Sequence, residues 1–109
     1  MHKPDGMIGM SVRAGKAVFG SESCVALLRK GQLPLVILAA DASERTKKLI
    51  RDKCRSFRGT YIVYGTVESL AGMTGKHQVA AVGIRDKGLA AAILKIYGGG
   101  ANGENSETK

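Results

Sequence analysis

Apolar residues recur along the chain in short blocks whose spacing alternates between that of strands and that of helices. Two continuous apolar runs, within residues 33–40 and 79–84, predict strands buried on both faces. Shorter runs at 17–19 and 60–64 predict two more strands. Apolar positions at helical spacing predict five helices, which cover residues 7–15, 21–30, 43–57, 66–71 and 86–97.

This alternation predicts the fold class, a three-layer α/β/α sandwich around a four-stranded mixed sheet. A length of 109 residues suits one domain. We expect a flexible N-terminus over 1–6, a single domain over 7–97 and a disordered tail over 98–109. The tail is rich in Gly, Asn, Ser and Glu and offers too little apolar surface to order itself.

Polar residues before the helices predict where the helices begin. Ser21 is the predicted N-cap of the second helix, because its hydroxyl can accept an unpaired backbone N–H. Asp41 and Ser43 are the candidates for the third. Residues 72–77 are predicted to form a glycine-flanked loop after the short fourth helix.

The charge balance points to a polyanionic partner. The chain has 17 Lys and Arg against 9 Asp and Glu, a net charge of +8, and because the last twelve residues carry −1 the remainder carries +9. Nucleic acid is the commonest such partner, an anionic membrane surface is the alternative, and charge kept for solubility is the third interpretation. Helix 43–57 concentrates cations that either contact phosphate or are solvated: Arg45, Lys47, Lys48, Arg51 and Arg55.

The composition also indicates a compartment. No apolar run approaches the roughly 18 residues of a spanning helix, and residues 1–20 show no secretory signal. We therefore expect a cytoplasmic protein without membrane association, most simply a monomer. Cys24 and Cys54 lie on apolar helix faces and are expected to be reduced, buried thiols.

Nothing in the sequence predicts an enzyme, a cofactor or a metal site. A nucleotide-binding loop needs Ser or Thr after its Gly-Lys pair, but Lys16 is followed by Ala17 and Lys76 by His77. The cysteines and histidines lack zinc-ligand spacing, and the carboxylates form no obvious catalytic pair. His77, in a polar loop, is expected to contact solvent or RNA rather than to act as a base.

The aromatic content favours one class of RNA. Three Tyr, two Phe and no Trp are poor equipment for stacking single-stranded bases, so structured RNA fits better. The segment Gly20-Ser21-Glu22-Ser23 starts a helix whose free N–H groups form an anion site if they face solvent. An ordinary helix start is the equally simple alternative.

Several short segments, spread over residues 7–96, together resemble the ribosomal protein L7Ae/L30e family of kink-turn RNA-binding proteins, and within it the small bacterial YlxQ-type branch. The segments are Arg13-Ala14-Gly15-Lys16, Gly20-Ser21-Glu22, Leu35-Val36-Ile37-Leu38-Ala39-Ala40-Asp41-Ala42-Ser43, Lys53-Cys54, Leu70 and Gly75-Lys76. The resemblance implies an α/β/α sandwich that recognises RNA kink-turns or related internal loops. It implies contact through the start of the second helix and through a loop that falls here on 73–79.

The helix start and the loop that the resemblance implies, together with other polar and basic residues, form the set of candidate RNA-binding residues. They are Lys16, Gly20, Ser21, Glu22, Ser23, Arg29, Lys30, Asp41, Gly75, Lys76 and His77. Lys16, Arg29 and Lys30 are expected to supply phosphate contacts around the same edge as the helix start and the Gly75-Lys76 loop.

The chain departs from the family pattern at the helix start. The family reads G-x-N-E with a Lys three residues further on, where this chain has Glu22, Ser23 and Ala26. A carboxylate offers only acceptors and repels phosphate, so general RNA binding is predicted while kink-turn specificity stays open. The alternative function is a ribosome- or translation-associated protein-interaction module that has lost kink-turn specificity.

Overall fold

The computed structural model describes residues 4–75 and 78–98, and it confirms helices packed around a four-stranded mixed sheet. Over those residues the chain order is α1 (Asp5–Arg13), β1 (Ala17–Phe19), α2 (Ser21–Arg29), β2 (Leu35–Leu38), α3 (Glu44–Phe57), β3 (Tyr61–Val63), α4 (Val67–Thr74), β4 (Ala81–Ile84) and α5 (Lys87–Gly98). Every predicted strand and helix is present.

The sheet has the strand order β1-β4-β2-β3. Strand β4 is antiparallel to β1 and β2, whereas β2 is parallel to β3, and the register pairs Val36 with Gly83 and with Tyr61. Every residue of β2 and β4 is buried. Their continuous apolar sequences are explained by helices on both faces, since α2 packs on α3 and α1 contacts α4 and α5.

Both cysteines belong to the core, as predicted. Cys24 of α2 and Cys54 of α3 are buried beside the sheet, and Leu28 and Ile50 share that layer. Leu49 and Phe57 of α3 are only half buried.

The first and last helices extend beyond the predicted domain bounds of 7–97. Helix α1 begins at Asp5, after the buried Pro4, and the Asp5 carboxylate accepts a hydrogen bond from the Tyr64 hydroxyl. Gly98, predicted to start the tail, ends α5. The contact between Asp5 and Tyr64, 59 positions apart, has no local signal in the sequence. The predictions for residues 1–3 and 99–109 lie outside the described residues.

Two local predictions about helix boundaries were wrong. Gly20, not Ser21, is the N-cap of α2, with a φ of 94° that a glycine adopts without strain, and its N–H donates to the Ala81 carbonyl. Helix α4 continues through 72–74, which were predicted to be loop, and ends where Gly75 takes the left-handed conformation. Ser43 does cap α3, its hydroxyl accepting from the Thr46 N–H at 3.1 Å.

Gly83→Ala is expected to destabilise the protein, by about 1–3 kcal/mol, because there is no room for a methyl group at the centre of the sheet. A Cβ at this position would lie 2.9 Å from side-chain carbons of Leu33 and of Val18. Gly72→Ala is the matched control, since a Cβ there meets nothing within 4 Å. It should leave the free energy of unfolding equal or raise it by up to about 1 kcal/mol. Urea unfolding of the two variants measures the difference, and equal stabilities would contradict the packing argument.

Candidate nucleic-acid interface

One edge of the sheet, formed by the ends of its strands, gathers five of the eleven predicted site residues. Strands β1, β2 and β3 end there and β4 begins there, and we call residues 20–23, 39–43, 64–66 and 80 the loop edge. Backbone hydrogen bonds fasten its segments together. They run from Gly20 N to Ala81 O at 2.9 Å, from Ala39 N to Ala80 O at 2.9 Å and from Ala40 N to Gly65 O at 2.8 Å.

The loop edge brings together five of the predicted residues: Gly20, Ser21, Glu22, Ser23 and Asp41. Glu22 and Ser23 are exposed in the first turn of α2, where a ligand can approach the helix N-terminus. Gly75 ends α4, and the chain from it leads to Ala80 at this edge. The predictions for Lys76 and His77 lie outside the described residues.

Asp41 has a structural role that the sequence reasoning did not assign. Its Oδ1 accepts a hydrogen bond of 2.8 Å from the N–H of Val67, the first residue of α4. The carboxylate therefore caps α4, rather than the next helix in the chain, and ties the segment after β2 to the segment after β3. The only sequence signal was an Asp close to a strand end, which does not say which helix it caps.

Lys16, Arg29 and Lys30 do not lie at the loop edge, so the expectation that they share it is wrong. The carbonyl of Lys16 accepts a 2.7 Å hydrogen bond from the N–H of Arg85, which follows β4 at the opposite edge. Arg29 is the last residue of α2, about 12 Å along the helix from its first. Strand β1 runs from Lys16 at one edge to Gly20 at the other, and α2 returns the chain to the first edge.

The described charges at the loop edge are mainly acidic. The helices α2, α3 and α4 all start on this side, and each has a carboxylate in its first turn: Glu22, Glu44 and Glu68. A negative charge stabilises a helix N-terminus by interacting with the helix dipole. This arrangement favours the fold but opposes the approach of phosphate.

Part of the basic face of α3 is engaged within the helix. Lys48 Nζ lies 2.9 Å from Asp52 Oδ2, and that hydrogen bond holds the pKa of Asp52 below its usual value. Lys47 Nζ lies 3.7 Å from Glu44 Oε2. Exposed pairs of this kind contribute little to stability, and they reduce the charge that these two lysines offer to a ligand.

The two thiols are unsuited to nucleophilic chemistry. Burial raises the pKa of Cys24 to about 12, with a smaller effect of nearby Cys54, and burial likewise raises the pKa of Cys54 to about 12. A thiol with so high a pKa is protonated at neutral pH and is a poor nucleophile. Within residues 4–75 and 78–98 there is no group of three or more potential metal ligands, and no helix is long and apolar enough to cross a membrane.

Both thiols should resist alkylation in the native protein, because they are buried and protonated. Iodoacetamide at mildly alkaline pH is expected to label neither cysteine in buffer and both in denaturing urea, as counted by mass spectrometry. Rapid labelling of one native cysteine would contradict the assignment of both thiols to the core.

Asp41→Ala is expected to lower the free energy of unfolding by about 1 kcal/mol, because the Val67 N–H loses its acceptor. Asp41→Asn is the matched control, since its amide oxygen can still accept that hydrogen bond and should preserve most of the stability. Urea unfolding followed by circular dichroism compares the two. Equal losses would show that the charge, rather than the hydrogen bond, stabilises the loop edge.

These features define a class: a small α/β/α protein whose candidate site is a surface formed by loops and a helix N-terminus. Residues 4–94 match the family described as Ribosomal protein L7Ae/L30e/S12e/Gadd45. The chain belongs to this family, as its sequence predicted.

Curated relatives and solved structures agree with this assignment. The chain is 31% identical over 93 residues to the RNA-binding protein YlxQ of Bacillus subtilis, covering 83% of this chain and 90% of the relative. It is 32% identical over 93 residues to the protein of the same name from Enterococcus faecium, covering 85% and 89%. A structure of a Bacillus halodurans protein with unknown function has a TM-score of 0.83 at 32% identity, covering 88% of this chain and 97% of that one.

A more distant structure shares the fold. The Giardia lamblia 15.5kD RNA binding protein has a TM-score of 0.71 at 18% identity, over 85% of this chain and 83% of that one. The α/β/α fold is therefore found in chains with little sequence in common.

Proposed function

We propose that the protein binds structured RNA, a kink-turn or a related internal loop, through the loop edge, and that it is a binding protein rather than an enzyme. The observation that carries the proposal is the exposed first turn of α2 at the loop edge. The Gly20 N–H ties this turn to Ala81 of β4, and the Ala40 N–H ties the segment after β2 to Gly65 after β3. The YlxQ relatives, which are named RNA-binding proteins, support it.

In this proposal the backbone N–H groups at the start of α2 and the exposed hydroxyl of Ser23 face the RNA. A helix N-terminus supplies donors that suit phosphate and base acceptors, and Gly20 leaves the approach open because a Cβ there would meet nothing within 4 Å. Lys76 and His77 remain proposed contacts from the segment between α4 and β4. Asp41 acts by fixing the loop edge.

Glu22 weakens the interaction in this arrangement, because it brings a negative charge and no donor to the exposed first turn of α2. Glu22→Asn is therefore expected to raise the affinity for an RNA with an internal loop by about threefold or more, roughly the effect of one modest charged contact. The amide of Asn supplies the donor that the family has at this position.

Asp52→Asn is the matched control, because it makes the same change of net charge in the middle of α3, away from the loop edge. Filter binding across a salt series measures both variants against the unchanged protein. Affinity should fall steeply with salt in all three. The same change in affinity for Glu22→Asn and Asp52→Asn would show that the start of α2 does not contact the RNA.

A protein-interaction module is the second candidate, and the acidic first turns around the loop edge favour it. Three carboxylates on the starts of α2, α3 and α4 suit a basic protein partner better than they suit phosphate. Pull-down from lysate with and without nuclease separates the two functions. If a partner protein stays bound after nuclease treatment and this protein has no affinity for RNA in vitro, the second function is supported and RNA binding is contradicted.

A further inference from the structure

Exposed cations collect at the edge of the sheet opposite the loop edge. Strand β1 begins there and β4 ends there, and α2 and α3 both end on this side. We call six exposed side chains on this side the basic edge: Lys16, Arg29, Lys30, Arg58, Arg85 and Lys87. Lys16 and Arg85 are joined by a backbone hydrogen bond of 2.7 Å, so the two chain segments that carry them lie side by side.

A shallow depression links the remaining cations. Arg58 and Lys87 line it together with Gly31 and Phe57, and Lys30 immediately precedes Gly31 in the chain. The Arg29 guanidinium carbon lies 5.7 Å from the centre of the Phe57 ring, a cation–π distance that holds this arginine beside the depression. The basic edge therefore spans the sheet from β1 to β3, about 14 Å for three strand spacings.

Helix dipoles explain only part of this surface. Arg29 and Lys30 end α2, where a positive charge is locally stabilising. Lys87, however, is the first residue of α5, where the helix dipole disfavours a cation. The carboxylate of Asp86, directly before the helix, caps this helix start and offsets part of that effect. The helix dipole therefore gives no reason for a cation at Lys87.

The backbone of Arg58 goes against local preference, although its charge suits the C-terminus of α3. It is the C-cap of α3 with a φ of 59°, in the left-handed region where glycine is favoured and where α4 and α1 are each followed by a glycine. A charged residue at such a position costs about 1 kcal/mol relative to glycine. Arg58 occupies a backbone conformation that favours glycine, Lys87 begins a helix, and both line one depression, which indicates that the surface has a use.

We infer that the basic edge is a second RNA-contacting site, separate from the loop edge, which binds the sugar–phosphate backbone of a duplex. It goes beyond the proposed function, since it assigns the charge-dependent contact to a different side of the molecule. Exposed Arg and Lys across about 14 Å suit successive phosphates, which lie a few ångströms apart along a strand. Asp86 is the one described acid among these segments, and its carboxylate is engaged as the acceptor of a 2.8 Å hydrogen bond from Leu89 N.

A lipid surface fits less well than a nucleic acid. Membrane-surface binding gains from apolar side chains that enter the interface. The large exposed apolar residues of the described chain are Met10, Val63 and Tyr97, and none of them belongs to the segments of the basic edge.

The test uses the full chain with the triple variant Lys30→Gln, Arg58→Gly and Lys87→Gln. Neither Arg58→Gly nor Lys87→Gln should destabilise the fold, because glycine suits the left-handed cap and an uncharged residue suits the start of α5. Affinity for a short RNA duplex without internal loops is expected to fall about tenfold or more at low salt. The slope of log K against log salt should become shallower by about 2 to 3, the effect of three lost phosphate contacts.

The matched control is Arg45→Gln, Arg51→Gln and Lys95→Gln, which removes the same charge from exposed positions on α3 and α5. Its duplex affinity should change by less than about threefold. An equal loss in both triple variants would overturn the proposal, because binding would then follow net charge alone. Unchanged duplex binding by the first variant would overturn it too. Binding to vesicles containing anionic lipid is measured alongside, and a loss of affinity confined to the vesicles would also overturn the proposal.

The two sites are distinguishable in the same assay. Glu22→Asn should change the affinity for the duplex no more than Asp52→Asn does. The triple variant of Lys30, Arg58 and Lys87 should lose duplex affinity whether position 22 is Glu or Asn. If RNA with an internal loop binds no better than the plain duplex, the proposed function of the loop edge fails while the basic edge stands.

Discussion

The antiparallel pairing of β2 with β4 is the interaction on which the rest of the structure depends. Both strands lie in the interior of the sheet and every residue of each is buried, so neither face can be left to water. Helices must therefore cover both faces. Helices α2 and α3 each start at the loop edge and return the chain to the opposite edge, whereas α4 connects β3 to β4 at the loop edge itself. The loop edge and the basic edge are consequences of this requirement.

The direction of the helices then sorts the charges between the two edges. Helices α2, α3 and α4 start at the loop edge, where acids complement their N-termini, while Arg29 and Arg55 occupy the last turns of α2 and α3. The strong net charge of +8 is thus unevenly distributed. The exception is Lys87, which adds positive charge at the start of α5, where the helix dipole does not favour it, on the side that is already basic.

The candidate site was predictable from the sequence only in its local parts. A helix start within 20–23 followed from a short motif, although the N-cap and the exposure of the first turn did not. The burial of Cys24 and Cys54 followed from apolar spacing. Lys16, Arg29 and Lys30 were assigned to the wrong edge because charge and proximity along the chain do not say on which side of a sheet a residue emerges. Arg58, Arg85 and Lys87 were missed for the same reason.

By itself the sequence determined the helices and strands, the fold class and the family, because apolar periodicity and glycine positions reflect preferences that extend over only a few residues. Only the tertiary structure decided which segments meet. Asp41 accepts a hydrogen bond from Val67, 26 positions along the chain, and Tyr64 donates one to Asp5, 59 positions away. Lys16 lies beside Arg85, at the other end of β1 from Gly20. Such contacts arise from strand order and helix packing, and no spacing along the chain encodes them.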